Sequence, residues 1–291
     1  AEAVEAAMKF ARKFTGKKGM VAMKGSYHGK SFGALSLTFN PKYRKAFAPL
    51  VEKVSFASFG DIDSLRSVID EDTAFIILEP VQGESGIIVA PDGFLQEVRK
   101  LCDEKGIILI FDEIQAGLGR TGRLWAGEHW NTVPDILCLA KGIAGGVPMG
   151  ATLVRPDILA SISKGEHSST FGGNPISCAA GIAALTAITE DGLIENSKKM
   201  GELFKEGLEK LKEKHTMIRE IRGKGLMIGI ELKFEVKNIL MELIEEGVLM
   251  LYSGRNILRI LPPLVITEED VTKVLGALDV VISKEEEKKN V

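Results

Sequence analysis

The chain has 291 residues, of which 45% are hydrophobic and 26% are charged, and its formal net charge is −3. The balance of 37 basic and 40 acidic residues argues against a nucleic-acid-binding protein and against a polybasic membrane-surface protein. No apolar run approaches the roughly 18 residues of a membrane span. An odd number of cysteines, three, without secretory features indicates reduced thiols and a cytoplasmic location.

The first residues form an amphipathic helical pattern over positions 1–14. Val4, Ala7, Met8, Ala11 and Phe14 recur on one face of that helix. The sequence begins inside this pattern and without an initiator methionine. We therefore expect the natural start of the protein to lie upstream of residue 1.

Short apolar segments then alternate with helical ones. They are rich in β-branched residues, and they cover residues 20–23, 54–57, 74–78, 107–111, 136–139 and 151–154. Segments of this kind are typical of buried parallel strands. Residues 92–105 predict a crossover helix capped by Asp92, and its inner face is formed by Phe94, Leu95, Val98, Leu101 and Cys102. The alternation predicts a layered α/β domain with its active groups at the carboxyl ends of the strands.

The pattern changes after the alanine-rich residues 176–188. A long charged helix over 193–214 leads to strands at 217–222 and 226–232. A helix over 236–246, two short strands and a closing helix over 267–284 follow, and the KEEEKK tail reads as a solvated end. This order predicts a large domain over residues 1–190 and a smaller α+β domain over residues 191–291.

Three segments of the large domain carry side chains that could take part in catalysis or in ligand binding. Asp112 and Glu113 directly follow a buried strand, where the alternative to a functional carboxylate is a capping aspartate. Lys141 lies in the nearly charge-free segment LAKGIAGG, where desolvation would favour the neutral, nucleophilic amine; the alternative is a surface lysine. The segment SSTFGGNP at 168–175 suits phosphate contact through hydroxyls and backbone N–H groups, or is an ordinary turn before a helix.

Taken together and in this order, the motifs resemble those of the class III, ornithine- and acetylornithine-like, pyridoxal-phosphate aminotransferases. The resemblance covers essentially the whole chain. Its markers are Tyr27-His28-Gly29-Lys30, EPVQGESG from Glu79, Asp112-Glu113-Ile114-Gln115, GRTG from Gly119, Lys141, TFGGNP from Thr170 and ILRILPPL from Ile257. The resemblance implies the α/β fold type I of pyridoxal-phosphate-dependent transferases, with a mainly parallel sheet in the large domain. It also implies that the segment before the first helix, not present in this sequence, helps to hold the cofactor phosphate.

The resemblance implies roles for the residues around the cofactor ring. Lys141 would hold the cofactor covalently and then shuttle the proton, and Asp112 would pair with the pyridine nitrogen to keep the ring an electron sink. Gln115 would hydrogen-bond the ring's phenolic oxygen. Ile114 and Tyr27 would pack on opposite faces of the ring.

Two further implied roles concern the cofactor's surroundings. His28 would fix the loop that carries Tyr27 rather than act as a base. Thr170 would reach the phosphate of the neighbouring subunit's cofactor, so the resemblance implies a homodimer with shared active sites. His129, His167 and His215 show no mutual spacing that suggests a metal site.

The substrate would be bound by a pair of oppositely charged residues. Glu84 and Arg259 would form a salt bridge while the amino donor is bound, and Arg259 would then be released to take the α-carboxylate of glutamate or 2-oxoglutarate. Lys30 stands where acetylornithine-like enzymes usually carry arginine, so the charge is kept but the bidentate fork is lost.

The implied reaction is transfer of the ω-amino group of an acylated ornithine or lysine to 2-oxoglutarate, or the reverse with glutamate as donor. The sequence RGKGLMIGIEL, followed by a short connection at 233–237, resembles the archaeal branch of arginine and lysine biosynthesis that uses an acidic amino-group carrier protein. Basic residues that could face such a carrier, or simply face solvent, are Lys24, Lys30, Lys42, Arg44 and Lys45. Free N-acetylornithine is the competing substrate.

Two other functions stay open from the sequence. The abrupt start of the chain is compatible with a truncated, non-catalytic subunit that pairs with a full-length partner. An aminomutase or racemase of the same fold would keep the cofactor but would not alternate between two carboxylic acids, so Glu84 and Arg259 argue against it. A dinucleotide dehydrogenase is disfavoured because no GxGxxG follows the first strand.

Overall fold

A computed structural model describes residues 1–289 of the chain. Its helices are α1 (Glu2–Thr15), α2 (Phe32–Leu37), α3 (Pro41–Arg44), α4 (Ile62–Val68), α5 (Phe94–Lys105), α6 (Pro156–Ala160), α7 (Pro175–Glu190), α8 (Leu193–Lys214), α9 (Lys237–Glu245) and α10 (Glu268–Lys289). Its strands are β1 (Gly19–Met23), β2 (Val54–Ala57), β3 (Thr73–Leu78), β4 (Val81–Gln82), β5 (Ile88–Val89), β6 (Ile108–Asp112), β7 (Ile136–Leu139), β8 (Ala151–Val154), β9 (Ile218–Lys224), β10 (Met227–Leu232), β11 (Leu251–Ser253) and β12 (Ile257–Ile260). Short 3₁₀ turns occupy Lys45–Phe47, Ala126–Trp130 and Lys141–Ala144.

The chain divides into two compact units. Unit 1 comprises residues 1–82, 90–118 and 125–187, and unit 2 comprises residues 83–89, 119–124 and the C-terminal part from Ile188. The main division lies three residues before the predicted one at 190. The two short insertions into unit 2 were not predicted, because nothing in their composition separates them from the neighbouring large-domain sequence.

Unit 1 is built on a six-stranded sheet in the order β2-β1-β3-β6-β7-β8. Strands β1, β2, β3, β6 and β7 pair in parallel, as their continuous apolar sequences predict, and every residue of β3 and β6 is buried. Strand β8 instead pairs antiparallel with β7 at the edge of the sheet. The α/β architecture with a mainly parallel sheet is therefore confirmed.

The helices of unit 1 follow the predicted hydrophobic faces. In α1, Val4, Ala7 and Ala11 are fully buried, whereas Phe14 is 37% exposed. The predicted inner face of α5 is buried along its whole length. The predicted Asp92 cap is wrong: Gly93, with a φ of 82°, occupies the N-cap and makes no side-chain cap. Glycine adopts a left-handed conformation without strain, so Gly93 serves as the N-cap and the helix begins at Phe94.

Unit 2 contains a four-stranded antiparallel sheet in the order β11-β12-β10-β9. Helices α8, α9 and α10 supply fully buried side chains to one core with this sheet, among them Phe204, Leu208, Leu243 and Leu278. Apolar residues at helical spacing on α8 account for this packing.

The KEEEKK tail is helical, and four of its six residues are exposed, as expected for a solvated end. Helix α10 continues through it to Lys289, and Glu285 is only 2% exposed. Lys289 lies four residues later on the same helix face and forms an ion pair of 3.1 Å with Glu285. Glu285 is therefore the one fully buried residue of this tail among residues 284–289.

Within the part of the chain that the structure describes, no single helix has the length and apolar character to cross a membrane, and only α7 and α8 taken together across their break meet those criteria.

Candidate active site

A buried carboxylate ends the central strand β6. Asp112 is 4% exposed, and its Oδ2 lies 2.7 Å from Nδ1 of His28. Its Oδ1 accepts the backbone N–H of Ile114 at 3.0 Å. Each oxygen therefore has one partner and retains a lone pair for another donor. The carboxylate is fixed in position but keeps the capacity to accept a further hydrogen bond.

His28 contacts Asp112 directly, which the sequence did not predict. The backbone N–H of His28 donates to the hydroxyl of Thr38 at 3.0 Å. Nε2 of the ring is buried without a hydrogen-bond partner among the described residues. His28 thus joins the loop that carries Tyr27 to the end of β6.

The aromatic ring of Tyr27 lies next to that of Tyr43, a residue that the sequence did not single out. The two rings meet edge to face with 5.7 Å between their centroids, and Nζ of Lys30 stands 4.9 Å from the centre of the Tyr43 ring. The backbone N–H of Tyr27 donates to Oε1 of Glu79 at 3.0 Å. Glu79 directly follows β3 and is 6% exposed, so a buried carboxylate at a strand end holds the loop that carries Tyr27.

Lys141 begins a 3₁₀ turn immediately after β7, at the carboxyl end of a strand next to β6. Its φ is 49°, a left-handed conformation that is uncommon for a residue with a side chain. The sequence led us to expect a desolvated lysine, but Lys141 is exposed in the chain by itself. Its glycine neighbours have no side chains to cover it, and a Cβ at Gly142 would meet no atom within 4 Å.

Ile114 and Gln115 follow Asp112 on the same turn. Ile114 is partly buried and packs against the apolar cluster beneath the sheet. The side-chain oxygen of Gln115 is buried and has no hydrogen-bond partner within residues 1–289. A buried amide oxygen without a partner costs free energy, so this amide is available to a polar ligand.

Glu113 is a buried group that the sequence noted only as the neighbour of Asp112. It is 1% exposed, and its carboxylate accepts the backbone N–H groups of Ala126 at 2.6 Å and Gly127 at 2.8 Å. Burial raises the pKa of Glu113 to about 7, although these two hydrogen bonds lower it. Glu113 therefore secures the 3₁₀ turn at Ala126–Trp130 against the end of β6.

Thr170 lies in an exposed turn before α7. Asn174 caps this helix, because its Oδ1 accepts the N–H of Ser177 at 2.9 Å, and Pro175 follows at the first helical position. Phe171 is 80% exposed. The segment is thus a turn ahead of a helix that presents a hydroxyl and an aromatic ring outward, and its proposed contact with a second subunit stays a prediction.

Within unit 2, Glu84 and Arg259 form the ion pair that the resemblance implied. Nη1 of Arg259 lies 2.9 Å from Oε1 of Glu84 and donates to the carbonyl of Gly83 at 2.9 Å. The Arg259 side chain is 7% exposed and that of Glu84 is 38% exposed. Nε of Arg259 is buried with no hydrogen-bond partner among the residues described, so the guanidinium keeps an unused donor.

The loop that carries Glu84 is held on the sheet of unit 2. Arg222 Nε donates to the carbonyl of Gly86 at 2.8 Å, and the Ser253 hydroxyl donates to the carbonyl of Glu84. Gly86 has a φ of 98°, and a Cβ there would lie 2.3 Å from Cδ1 of Ile257. Only glycine allows so close an approach to β12. The loop geometry therefore sets the distance between Glu84 and Arg259.

Comparison with known proteins identifies relatives across the whole chain. A sequence model of class-III aminotransferases matches residues 1–282. An acetylornithine aminotransferase from Caldanaerobacter subterraneus subsp. tengcongensis is 45% identical over 98% of this chain and 74% of the relative. A LysW-aminoadipate semialdehyde/glutamate semialdehyde transaminase from Sulfolobus acidocaldarius is 44% identical over 95% of this chain and 71% of the relative.

A solved structure agrees with these sequence relatives. The ornithine aminotransferase of Toxoplasma gondii, which was crystallised with partial occupancy of pyridoxal phosphate at its active site, superposes with a TM-score of 0.96. It is 32% identical in sequence, and the match covers 100% of this chain and 72% of that protein.

Proposed function

Because this chain belongs to the class-III aminotransferase family, we propose that it transfers the ω-amino group of an acylated ornithine or lysine to 2-oxoglutarate, or the reverse with glutamate as donor. The two relatives described above act on such compounds by name, one on acetylornithine and the other on carrier-linked semialdehydes. The acyl group would be an N-acetyl group or the terminal residue of an amino-group carrier protein. The reaction would belong to arginine or lysine biosynthesis.

The cofactor of this family is pyridoxal phosphate, and the residues of unit 1 fit it. The buried Gln115 amide oxygen lacks a partner, and the fixed Asp112 carboxylate retains lone pairs for a ring N–H donor. When bound, the cofactor supplies an aldehyde that accepts the amino group and a ring that withdraws electrons from the reacting carbon. Asp112 would hold the proton on the ring nitrogen, and Gln115 would bind the phenolic oxygen.

Lys141 is the proposed catalytic base and cofactor-binding lysine. Its left-handed backbone conformation and its position directly after β7, a strand that pairs in parallel with β6, support this role. Nζ would carry the proton from the substrate carbon that bears the amino group to the cofactor carbon that takes up that group. Tyr27 and Ile114 would pack on opposite faces of the cofactor ring and exclude water from them.

Arg259 is the proposed recognition group for glutamate and 2-oxoglutarate. Glu84 would occupy the guanidinium while an ω-amino substrate is bound and release it when an α-carboxylate arrives. Lys30 would bind the carboxylate of the acylated substrate as a point charge. The geometry that supports these roles is the 2.9 Å pair of Glu84 with a largely buried arginine that keeps one unused N–H.

One observation carries the proposal most directly: the buried Asp112 carboxylate at the end of a parallel strand, held by His28 and by the N–H of Ile114. Burial and two donors fix its orientation before any ligand binds. A preorganised carboxylate of this kind is what a protonated ring nitrogen requires. His28 would be a positioning residue in this arrangement.

The test is an amino-transfer assay on the 291-residue chain supplied with pyridoxal phosphate. Conversion of glutamate to 2-oxoglutarate beyond one equivalent per bound cofactor should require an acylated semialdehyde. N-acetylated and carrier-linked acceptors should be compared at equal concentration. Bound cofactor without net transfer from glutamate would favour a mutase or racemase. Failure to bind the cofactor would favour a non-catalytic subunit, and either result would refute the proposed reaction.

We also propose a homodimer in which Thr170 contacts the phosphate at the partner's site. The exposed hydroxyl and the exposed Phe171 of this turn support the proposal. Mixed dimers of Lys141→Ala and Thr170→Ala subunits test it, because a shared site restores one complete centre in the mixed dimer. Equal activity of mixed and unmixed dimers would contradict it.

The second candidate for the acylated substrate is an amino acid attached to an acidic carrier protein. Of the basic residues predicted to face it, Lys24, Lys30, Lys42 and Lys45 are exposed, whereas Arg44 stacks on the Phe56 ring 4.9 Å away. Exposed cations near Lys30 favour an acidic partner, and the Sulfolobus relative is named for a carrier-linked substrate. Lys42→Glu with Lys45→Glu should weaken use of a carrier-linked acceptor and leave N-acetylornithine unaffected; equal effects on both would refute carrier docking.

A further inference from the structure

The loop from Tyr27 to Lys30 ends where α2 begins, and the first turn of that helix has an unusual cap. Ser31 occupies the N-cap with φ −68° and ψ 158°, but its hydroxyl makes no cap hydrogen bond to the helix. The first N–H groups of a helix have no partners within the helix and need acceptors from elsewhere. The acceptor must therefore come from another part of the fold.

Glu5 of α1 supplies this acceptor. Its Oε1 accepts the hydroxyl of Ser31 at 2.5 Å and the backbone N–H of Ala34 at 3.0 Å. Ala34 is the third helical residue, whose N–H is normally satisfied by the N-cap side chain. A carboxylate at this end of a helix also interacts favourably with the helix dipole. Glu5 thus caps α2 from a separate helix.

Two glycines make the close approach possible. A Cβ at Gly33 would lie 2.2 Å from Oε2 of Glu5, so any side chain there would displace the carboxylate. Gly29 has a φ of 132°, and a Cβ there would lie 2.8 Å from Cβ of Ala1. The loop and the start of α2 therefore fit closely against the first turns of α1.

The other end of the loop is also held by a carboxylate. Glu79 accepts the N–H of Tyr27 at 3.0 Å, and the hydroxyl of Thr38 accepts the N–H of His28 and lies 3.1 Å from the carbonyl of Gly29. Together these contacts fix both ends of a four-residue segment. A displacement at the Glu5 end would move Lys30 first, because Lys30 directly precedes the capped residue Ser31.

We propose that Glu5 is a positioning residue for the loop of Tyr27, His28 and Lys30, acting through the cap of α2. This inference rests on the proposed function for its consequence, which is that the capped loop holds Lys30 ready for the substrate carboxylate. Glu5 would act through its contacts with Ser31 and Ala34. Its loss is expected to weaken substrate binding more than it slows the chemical step.

Three variants and one control test this role. Glu5→Ala removes the acceptor, and Gly33→Ala keeps the carboxylate but takes away its space. Glu5→Gln keeps an acceptor oxygen without the charge. Glu2→Ala removes an exposed carboxylate from the first turn of the same helix and serves as the matched control.

The first readout is amide hydrogen exchange in residues 27–34 of the cofactor-loaded protein without substrate. Glu5→Ala and Gly33→Ala should speed exchange in this segment about five-fold, the value expected for loss of one helix cap, and Glu5→Gln should restore most of the protection. Glu2→Ala should exchange at the rate of the unaltered chain. Unchanged exchange in Glu5→Ala, or an equal increase in Glu2→Ala, would overturn the proposal.

The second readout is the division of the effect between KM and kcat. For the acylated substrate, Glu5→Ala should raise KM about five-fold with kcat within about two-fold, and Glu5→Gln should recover the lower KM. A fall in kcat alone would overturn the role assigned to the cap. If the unaltered chain transfers no amino group, the proposed function fails, whereas the exchange measurement still decides whether Glu5 holds the loop.

Discussion

Replacement of Glu84 by alanine should increase the affinity of the protein for glutamate and 2-oxoglutarate. In the proposed role, Arg259 would have to leave Glu84 before it binds an α-carboxylate, so the 2.9 Å ion pair would compete with that substrate. A hydrogen bond to a charged group contributes about 1.5–3 kcal/mol. The Glu84 side chain is 38% exposed, and solvent screening reduces the contribution to about 1 kcal/mol.

That magnitude corresponds to a fall of about five-fold in KM for glutamate. The half-reaction with glutamate should be followed spectroscopically at several concentrations, in parallel with the ω-amino substrate. For the ω-amino substrate, kcat/KM should fall, because Arg259 is no longer neutralised when no α-carboxylate is present to pair with it. Glu84→Gln is the matched variant. Its KM for glutamate should lie between those of the unaltered chain and Glu84→Ala, since an amide oxygen can accept a hydrogen bond from Arg259 but carries no charge.

An unchanged or higher KM for glutamate in Glu84→Ala would refute the reasoning. It would mean that Arg259 does not exchange Glu84 for a ligand carboxylate. The carbonyl of Gly83 remains a partner of Arg259 in every variant, so loss of the guanidinium's position is not an alternative reason for that result.

Further predictions concern the titratable groups Glu113, His215 and Asp279. Burial raises the pKa of Glu113 to about 7, so the folded state binds more protons than the unfolded state between about pH 4.5 and 7. The free energy of unfolding should therefore fall by roughly 3 kcal/mol as the pH rises across that window. Urea unfolding at several pH values should show this slope in the unaltered chain and lose it in Glu113→Gln; the same slope in both would contradict the assignment. Both ring nitrogens of His215 lie on carboxylates, Nδ1 at 2.8 Å from Glu286 and Nε2 at 2.6 Å from Asp279, so His215→Ala should destabilise the protein by about 2–3 kcal/mol in urea unfolding at pH 7. Hydrogen bonds from Lys214 and His215 hold the pKa of Asp279 below its usual range. The contribution of Asp279 to the free energy of unfolding should therefore be complete above about pH 4 and be lost as the pH falls further. Unchanged acid sensitivity in His215→Ala would refute the role of His215 in lowering this pKa.

The strands of unit 1 were predictable from their continuous apolar sequences, and the long helices from apolar residues at helical spacing. Strands β2, β7 and β8 and helix α8 begin and end at the predicted residues. The cap of α5 was mispredicted because an aspartate next to a glycine offers two possible starts, and the left-handed glycine was the one used. Short helices such as α2 and α4 were missed because six or seven residues give too few turns for a helical period to emerge.

The candidate site was predictable where a functional group follows a strand. Asp112, Glu79 and Lys141 all lie at strand ends, as the rule for parallel sheets requires. Contacts between distant segments were not predictable in the same way. Glu5 and Ser31 are 26 residues apart, and no local pattern of either segment indicates that one caps the other.

The central claim is that Lys141 holds the cofactor. The most direct measurement is incubation of the chain with pyridoxal phosphate, reduction with borohydride and mass spectrometry of the resulting peptides. We expect one pyridoxyl-phosphate adduct per chain, on Lys141, that is lost in Lys141→Ala and kept in the control Lys164→Ala, which removes another exposed lysine of unit 1. An adduct that persists in Lys141→Ala, or one spread over several surface lysines, would contradict the account.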